Sequence, residues 1–331
     1  MSIFKDKIVT VTGAGGSIGS AICKKLLELG VYRLKCLDIS EYSLYKLSQS
    51  LKSEKARYLI GDVRDKSRLE RAVSSSHIII HAAALKHVSF CEFNPDEAFK
   101  TNVVGTQNLI DICRKTNTEH CVLISTDKAV NPTSVMGTTK LLAEKMFINA
   151  PENNLANRTK FTVVRFGNVF GSAGSVVETF FKKILKNEKL TLTDKNIARY
   201  FISMSEASDL VLDCLNHTKG ESITPIFILK MKKAKIRKIA ERMFVALGKD
   251  FVDSEDFEIT GLSRGEKFDE KLYTDFEKKF IQTTEKYIII NKDVQDMEIK
   301  ESEVFMSDKE IDNLIKEWLQ DKELLSFESV V

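Results

Sequence analysis

The stretch KIVTVTGAGGSIG, Lys7 to Gly19, joins a β-branched run to a cluster of glycines. Overlapping its end, Ile18–Leu29 (IGSAICKKLLEL) repeats its apolar residues at helical spacing and stops at Gly30. Strand, tight turn and helix are therefore expected in that order. Gly13, Gly16 and Gly19 stand at G-x-x-G-x-x-G spacing. Between a strand and a helix, such glycines let backbone amides, those of Ser17 and Ile18 among them, close on a pyrophosphate. The next apolar run, Leu34–Asp38, ends in a carboxylate about 20 residues further on, the position that binds ribose hydroxyls and repels a 2′-phosphate. The combination points to a dinucleotide site that takes NAD in preference to NADP.

Outward from this unit the rhythm repeats. Ala56–Ile60, Ile78–Ala82, Cys121–Ser125 and Thr162–Arg165 are further short apolar runs, separated by enough chain for a helix each. Uniformly apolar strands such as Ile78-Ile79-Ile80 suit a parallel sheet covered on both faces. The expected class is α/β, a doubly wound parallel sheet followed by a smaller mixed α/β domain. The dinucleotide-binding domain is placed at 1–165, with 196–230 returning to it, and the substrate domain with the last helix at 166–331. In the second part the pattern predicts a loop at Gly171–Gly174, helices at Val176–Leu185 and Ile236–Leu247, and strands at Leu190–Thr193 and Phe227–Leu229. Ser307 with Glu310 signs the start of a last helix carrying Ile311, Leu314, Ile315, Trp318 and Leu319 on one face, and Ser326–Val331 is expected to fray.

Composition narrows the chemistry. With 331 residues, 43% hydrophobic and 29% charged, the chain is too apolar to be disordered and long enough for two domains. Fifty basic residues against 47 acidic ones leave a charge of +3, no electrostatic footprint for nucleic acid. No apolar run approaches the roughly 20 residues that cross a bilayer. Met1–Lys7 has no signal-peptide pattern, so the expected compartment is the cytoplasm, with no membrane insertion. Cys23, Cys36, Cys91, Cys113, Cys121 and Cys214 form no C-x-x-C pair and are expected as reduced core thiols. The histidines show no zinc spacing, so no metal site is expected.

Residues able to do chemistry gather at strand ends. Asp62-Val63 follows the third run, where a side chain reaches an adenine amine. His81-Ala82-Ala83-Ala84 closes the fourth, and its alanines either leave room for the cofactor or serve close helix packing. The fifth run ends in Ser125-Thr126-Asp127-Lys128, and such sheets place ligands at the carboxyl ends of their strands. Taken alone, the Asp-Lys pair fits an exposed ion pair equally well. Further on, Lys140 falls one helical turn after Met136 on the same face.

The glycine turn, the segment Ser125-Thr126-Asp127-Lys128-Ala129-Val130-Asn131-Pro132 and the Met136…Lys140 pair resemble the extended short-chain dehydrogenase/reductases, and within them the nucleotide-sugar 4,6-dehydratases of polysaccharide biosynthesis. VRFGNVFGS (Val164–Ser172), Gly174-Ser175-Val176, Ala198-Arg199-Tyr200-Phe201 and Arg264-Gly265-Glu266-Lys267 are similar to that family's later motifs, so the likeness runs to about Tyr273. It implies a Rossmann fold and a reaction in which sugar carbon 4 lends a hydride to NAD, water leaves carbons 5 and 6, and the hydride returns at carbon 6.

Most of that superfamily carries Tyr-x-x-x-Lys, whose tyrosine takes a hydroxyl proton as hydride leaves. Here Met136 stands in the tyrosine position, and a thioether is no base. One branch of the dehydratases, with membrane-anchored long forms and short soluble ones, has methionine there. The resemblance to that branch implies that Lys128 removes the carbon 5 proton, Asp127 protonates the departing 6-hydroxyl and Thr126 holds the 4-hydroxyl, with retention at carbon 5. A basic lysine needs a lowered pKa and an acidic aspartate a raised one, and desolvation supplies both. Lys140 would bind the nicotinamide ribose, with Asn102 and Ser125 also on the cofactor.

For the sugar nucleotide, the resemblance points to Lys86, His87, Asn168 and Glu266, with Arg199 and Arg264 forking onto the diphosphate. Lys86, Arg199 and Arg264 have solvated surface charge as their alternative, and Met136 is either an apolar wall of the site or core. The implied substrate is UDP-N-acetylglucosamine, giving a 4-keto-6-deoxy product, with GDP-N-acetylglucosamine as the alternative. A nucleotide-sugar 4-epimerase and a noncatalytic NAD-binding regulator are the competing functions. The helices around Pro95–Lys115 and Met136–Asn149 carry apolar faces; in the resembling superfamily they form a four-helix homodimer interface, and burial inside one protomer is the other reading.

Overall fold

The computed structural model describes residues 2–151, 159–217, 224–252, 256–291 and 303–328. In chain order the strands are β1 (Ile8–Thr12), β2 (Arg33–Asp38), β3 (Ala56–Ile60), β4 (Ile78–His81), β5 (His120–Thr126), β6 (Lys160–Phe166), β7 (Asn168–Val169), β8 (Leu190–Leu192), β9 (Ala198–Ile202), β10 (Ile226–Leu229), β11 (Lys232–Lys235), β12 (Phe257–Ile259), β13 (Ile281–Thr283) and β14 (Tyr287–Ile290). The α-helices are α1 (Ser17–Glu28), α2 (Glu41–Leu51), α3 (Lys66–Val73), α4 (Val88–Phe93), α5 (Pro95–Phe99), α6 (Gly105–Cys113), α7 (Val135–Ile148), α8 (Val176–Leu185), α9 (Met204–His217), α10 (Ile236–Ala246) and α11 (Asp308–Glu328).

Two compact units divide the chain, the first formed by Met1–Phe166, Ser205–Lys230 and Lys271–Ile299, the second by Gly167–Met204, Met231–Glu270 and Lys300–Val331. In the first unit nine strands line up as β13-β14-β10-β6-β5-β4-β1-β2-β3. From β3 to β10 all neighbours are parallel, while β14 and β13 add on antiparallel. Strand order reverses between β1 and β4, the place where doubly wound sheets open a ligand crevice. There Thr12 lies opposite both Leu37 and His81, so Gly13, Asp38 and Ala82 come out side by side at the carboxyl edge.

The helices take their positions from their apolar spacing. α1 buries Gly19, Ile22, Cys23 and Leu26, one stripe three and four residues apart. α7 begins where Ser134 accepts the Gly137 N–H at 3.1 Å, and it buries Met136, Lys140, Ala143, Glu144 and Phe147 along one side. The stretch expected as one helix from Pro95 is broken into α5, a π turn at Lys100–Val104, and α6. Inserted π turns of this kind recur at functional positions.

The second unit holds the sheets β11-β9-β7 and β12-β8. α8, α10 and α11 close over a core that includes Phe170, Phe180, Ile239, Met243 and Ile315. The Trp318 indole N–H donates to Gly171 O at 3.1 Å, tying α11 to the loop before α8.

Two expectations change. Residues 196–204 lie in the second unit, because β9 pairs with β11 and β7. Lys271–Ile299 belongs to the first unit, because β14 and β13 extend its sheet past β10. α11 runs through Glu328, and residues 329–331 of the stretch expected to fray lie outside those described. α6 buries Gly105, Thr106, Asn108, Leu109, Ile110, Ile112 and Cys113 within its own unit, the second of the two readings for that helix. All six cysteines are buried and free. Among the described residues no helix is long and apolar enough to cross a membrane, and no cluster of His, Cys, Asp and Glu could hold a metal ion.

Candidate active site

At the carboxyl edge of β1 the glycine turn closes on its neighbours. Gly13 has a φ of 67°, and a Cβ there would lie 2.7 Å from Ala83 N; a Cβ on Gly19 would overlap Gly13 O. Side chains are excluded at both, so α1 starts hard against the sheet. α1 opens at Gly16 with no side-chain cap and no acidic residue in its first turn, so its leading amides, Ser17 and Ile18 included, suit a phosphate. Asp38 accepts hydrogen bonds from Gly15 N and Ser40 N, each at 2.9 Å, and its oxygens keep lone pairs for a ribose hydroxyl. Ser125 Oγ, at the end of β5, is buried with no hydrogen-bond partner among the described residues, an orphaned hydroxyl that a polar cofactor group would satisfy. These residues fit a dinucleotide.

Around them the other expected cofactor residues divide. Ala82, Ala83 and Ala84 are half-buried after β4, and Ala83 N donates to Thr12 Oγ1 at 3.3 Å. Asp62 is turned onto Arg64 at 2.6 Å; burial works to raise its carboxyl, but the Arg64 hydrogen bonds and charge prevail and hold it below its usual range. Val63 is core and receives Asn108 Nδ2 on its carbonyl at 3.1 Å. Asn102, in the π turn, accepts from Leu85 N at 2.8 Å and donates to Leu85 O and Thr139 Oγ1 at 3.1 and 3.0 Å. Its amide is committed to fastening the chain after β4 onto α7.

β5 runs straight into a short 3-10 turn, Asp127–Ala129. Thr126 Oγ1 donates to Asp127 Oδ1 at 3.0 Å, and Lys128 Nζ lies 3.2 Å from the same oxygen. Asp127 is 0% exposed while the Lys128 side chain keeps 24%, so this is no solvated surface pair. A dry carboxyl in contact with a half-open amine can pass protons to and from a ligand. Met136 is buried in a small apolar cluster with Cys91 and Ala98, and its thioether offers no proton at that position. Lys86 and His87 stand exposed before α4; burial and the Lys86 charge push the His87 imidazole below its ordinary value.

Lys140 lies beneath this cluster, and its Nζ donates to Ile124 O at 2.6 Å. Burial pushes it down to about 8, with the Glu144 carboxylate pulling the other way. Nearby, His81 shares hydrogen bonds with Thr12 Oγ1 at 2.7 Å and Thr106 Oγ1 at 3.3 Å. Burial first, and the Lys140 charge second, lower it to about 3, so the ring is neutral. Sequence reasoning missed Glu144, Arg165 and Glu277, a buried ion cluster behind Lys140. Two signals were available: an arginine inside the apolar strand VVRF, and a glutamate one helical turn after Lys140.

The second unit gathers its own polar set. Arg199 is 7% exposed, and its Nη1 donates to Ala198 O and Phe268 O, its Nη2 to Lys267 O and Glu266, while Nε lies 3.5 Å from Glu270. The guanidinium expected on a diphosphate braces residues 266–270 in this structure. Glu266 also accepts from Thr193 Oγ1 and Ser263 N at 3.3 and 3.1 Å. Asn168 Nδ2 donates to Tyr200 O at 3.1 Å, and Arg264 is exposed.

A family of polysaccharide biosynthesis proteins matches residues 9–292. An uncharacterised membrane protein of Methanocaldococcus jannaschii is 41% identical over 326 residues, 96% of this chain and 97% of that protein. A UDP-N-acetylglucosamine 4,6-dehydratase (inverting) of Campylobacter jejuni is 36% identical over 298 residues, 88% of this chain and 85% of that enzyme. Among solved structures, Pen from Bacillus thuringiensis superposes with a TM-score of 0.88 at 34% identity, over 95% of this chain and 98% of its own. The match extends from β1 through β14, taking in the glycine turn, the β5 cluster and the Arg264-Gly265-Glu266-Lys267 segment, and on that ground the chain belongs to the polysaccharide biosynthesis protein family.

Proposed function

We propose that the chain is a hydro-lyase, an NAD-dependent nucleotide-sugar 4,6-dehydratase acting on UDP-N-acetylglucosamine in surface-glycan or deoxyamino-sugar synthesis. The observation that carries this reading is the contact cluster Thr126, Asp127 and Lys128 at the end of β5, with Lys140 beneath it. NAD, when bound, supplies a reversible hydride acceptor for sugar carbon 4. Lys140 holds the nicotinamide ribose. Thr126 holds the 4-hydroxyl, and Lys128 removes the carbon 5 proton once the neighbouring carbonyl has acidified it. Asp127 gives a proton to the departing 6-hydroxyl. A 4-epimerase needs no acid at carbon 6, so a dry carboxyl touching the base favours dehydration.

Retention at carbon 5 follows if one group takes and returns the proton on the same face. Lys128 is that group, since Met136 has no exchangeable proton and is buried in its own cluster. The 36% identical Campylobacter jejuni relative carries inversion in its name, so inversion is the competing outcome. Arg264 and Glu266 are assigned to the nucleotide, and Arg199 to holding Glu266. A homodimer is part of the proposal, resting on exposed Phe90, Phe93 and Leu142 on α4 and α7; light scattering on the purified chain reads it.

Incubation with UDP- and GDP-N-acetylglucosamine in deuterated water, followed by mass spectrometry and proton NMR, tests the reading. Loss of one water with one solvent deuteron at carbon 5 is expected from the UDP sugar, with coupling constants giving the retained configuration. Carbon 4 inversion without water loss would make the protein an epimerase. Bound NAD with neither sugar changed would sink the enzyme reading.

A further inference from the structure

Behind the β5 cluster four charged side chains are shut in together. Glu144 and Arg165 are each 1% exposed, Lys140 6% and Glu277 8%. Arg165, at the end of β6, gives up all five of its N–H groups. Nε and Nη2 donate to the two oxygens of Glu144 at 3.1 and 2.6 Å, Nη1 and Nη2 to those of Glu277 at 3.1 and 3.0 Å, and Nη1 also to Leu272 O at 3.0 Å. Thr274 N fixes Glu277 in turn at 2.8 Å.

Two carboxylates and one guanidinium leave this closed set with one net negative charge, and an unbalanced buried charge is costly. Lys140 lies one turn before Glu144 on the buried side of α7, and its ammonium brings the sum to zero. Lys140 donates to a carbonyl, Ile124 O, so the balancing charge acts on it through space and not through a contact ion pair. Other elements packed around α7 carry charges with partners of their own. Asp127 and Lys128 hold each other after β5, Glu92 of α4 accepts the Val135 N–H, and Glu97 of α5 binds Lys100 and Arg64. Asp96 of α5 lies 3.5 Å from Lys100, Asp111 of α6 binds Lys66 and lies near Arg114, and His81 of β4 is neutral. Of these groups Glu144 is the one whose charge supports Lys140.

We propose that Glu144 is the counter-charge that keeps Lys140 in its ammonium form, and that Arg165 and Glu277 are positioning residues that hold Glu144 in place. The proposal extends the role given to Lys140 above and rests on that reading for its effect on turnover. It assigns a task to three buried residues, Glu144, Arg165 and Glu277, that the proposed chemistry does not use. Burial alone drives the lysine toward its neutral form, and the Glu144 carboxylate opposes it. Around Arg165, burial works to discharge the guanidinium, yet Glu144 and Glu277 hold its pKa above the usual value, so the clamp stays charged. At Glu277, burial raises the carboxyl and the Arg165 charge lowers it further, leaving it ionised.

The test uses the full chain labelled with carbon-13 lysine, the Lys140 signal being identified by its loss in Lys140→Met. Glu144→Gln is expected to lower the Lys140 titration midpoint by about one unit, a tenfold shift toward the neutral amine at fixed pH. Glu277→Gln moves it the same way by less, and Glu144→Asp restores it. An unmoved midpoint in folded Glu144→Gln protein overturns the proposal, since a purely structural clamp would lower thermal stability and leave the titration alone. Should that variant not fold, Glu277→Gln decides on the same criterion. The pH profile of water loss from UDP-N-acetylglucosamine answers a separate question. A shifted midpoint with an unshifted profile keeps the counter-charge and removes Lys140 from the proposed chemistry.

Discussion

A single oxygen, Asp127 Oδ1, receives both the Thr126 hydroxyl and the Lys128 side-chain nitrogen, so the residues proposed as acid, base and sugar anchor share one contact point. Asp127→Asn keeps the shape and removes the acid; turnover should fall at least ~100-fold, the scale of general acid catalysis, while bound NAD is unchanged. Lys128→Met should also abolish deuterium uptake at carbon 5, and wild-type uptake in that variant would strike Lys128 from the role of base. This site was legible because its chemistry is local in sequence: three polar residues end an apolar run. Asn102 and Arg199 were legible only as positions, since the bonds that commit them go to Leu85, Lys267 and Phe268, far along the chain.

Among the elements, α7 presents Lys140 and Glu144 from one buried side. Its start depends on Ser134, whose hydroxyl caps the Gly137 N–H. Ser134→Ala should cost about 1 kcal/mol of stability, read by urea unfolding, with a fall in kcat larger than any change in KM as the Lys140 end of the helix loosens. Elements with their signals inside their own span were read correctly. α8 coincides with the expected Val176–Leu185, its Ser175 capping Glu178 N and two lysines in its last turn. The π turn between α5 and α6 was invisible to periodicity, because the bonds that pin Asn102 come from Leu85 and Thr139 on other elements.

On the scale of the whole molecule, the parallel sheet was legible from its uniformly apolar strands, and its antiparallel edge was not. β13 and β14 return to the first unit after an excursion through the second, and nothing local in residues 271–290 says which sheet they join. The same sheet makes the protein acid-sensitive. His81 is lowered to about 3 by burial and the Lys140 charge, and His120 to about 4 by burial and Lys160. Below about pH 6.5 the unfolded chain takes up protons at both rings that the folded chain refuses, so stability falls as the pH drops toward 4; above that pH both rings are neutral in either state and the effect vanishes. At pH 5 the loss is about 2 kcal/mol for His81 and a similar or smaller amount for His120. Urea midpoints at pH 7.5 and pH 5 measure it, and His120→Phe should flatten part of the slope.

Because the first unit is assembled from three separated segments, the order in which a ribosome delivers the chain matters. Residues up to Phe166 can pack β1 to β6 early, yet the outer flank of β6 stays bare until β10 is made, and the flank of β10 until β14 follows. Bare strand flanks invite pairing with other nascent chains. Over the same interval Arg165 has only Glu144 to grip, and Glu277 arrives with the final sheet strands. A stalled or clipped chain ending before Ile290 would therefore emerge with a nearly complete dinucleotide cradle but an unsealed sheet, a natural client for chaperones.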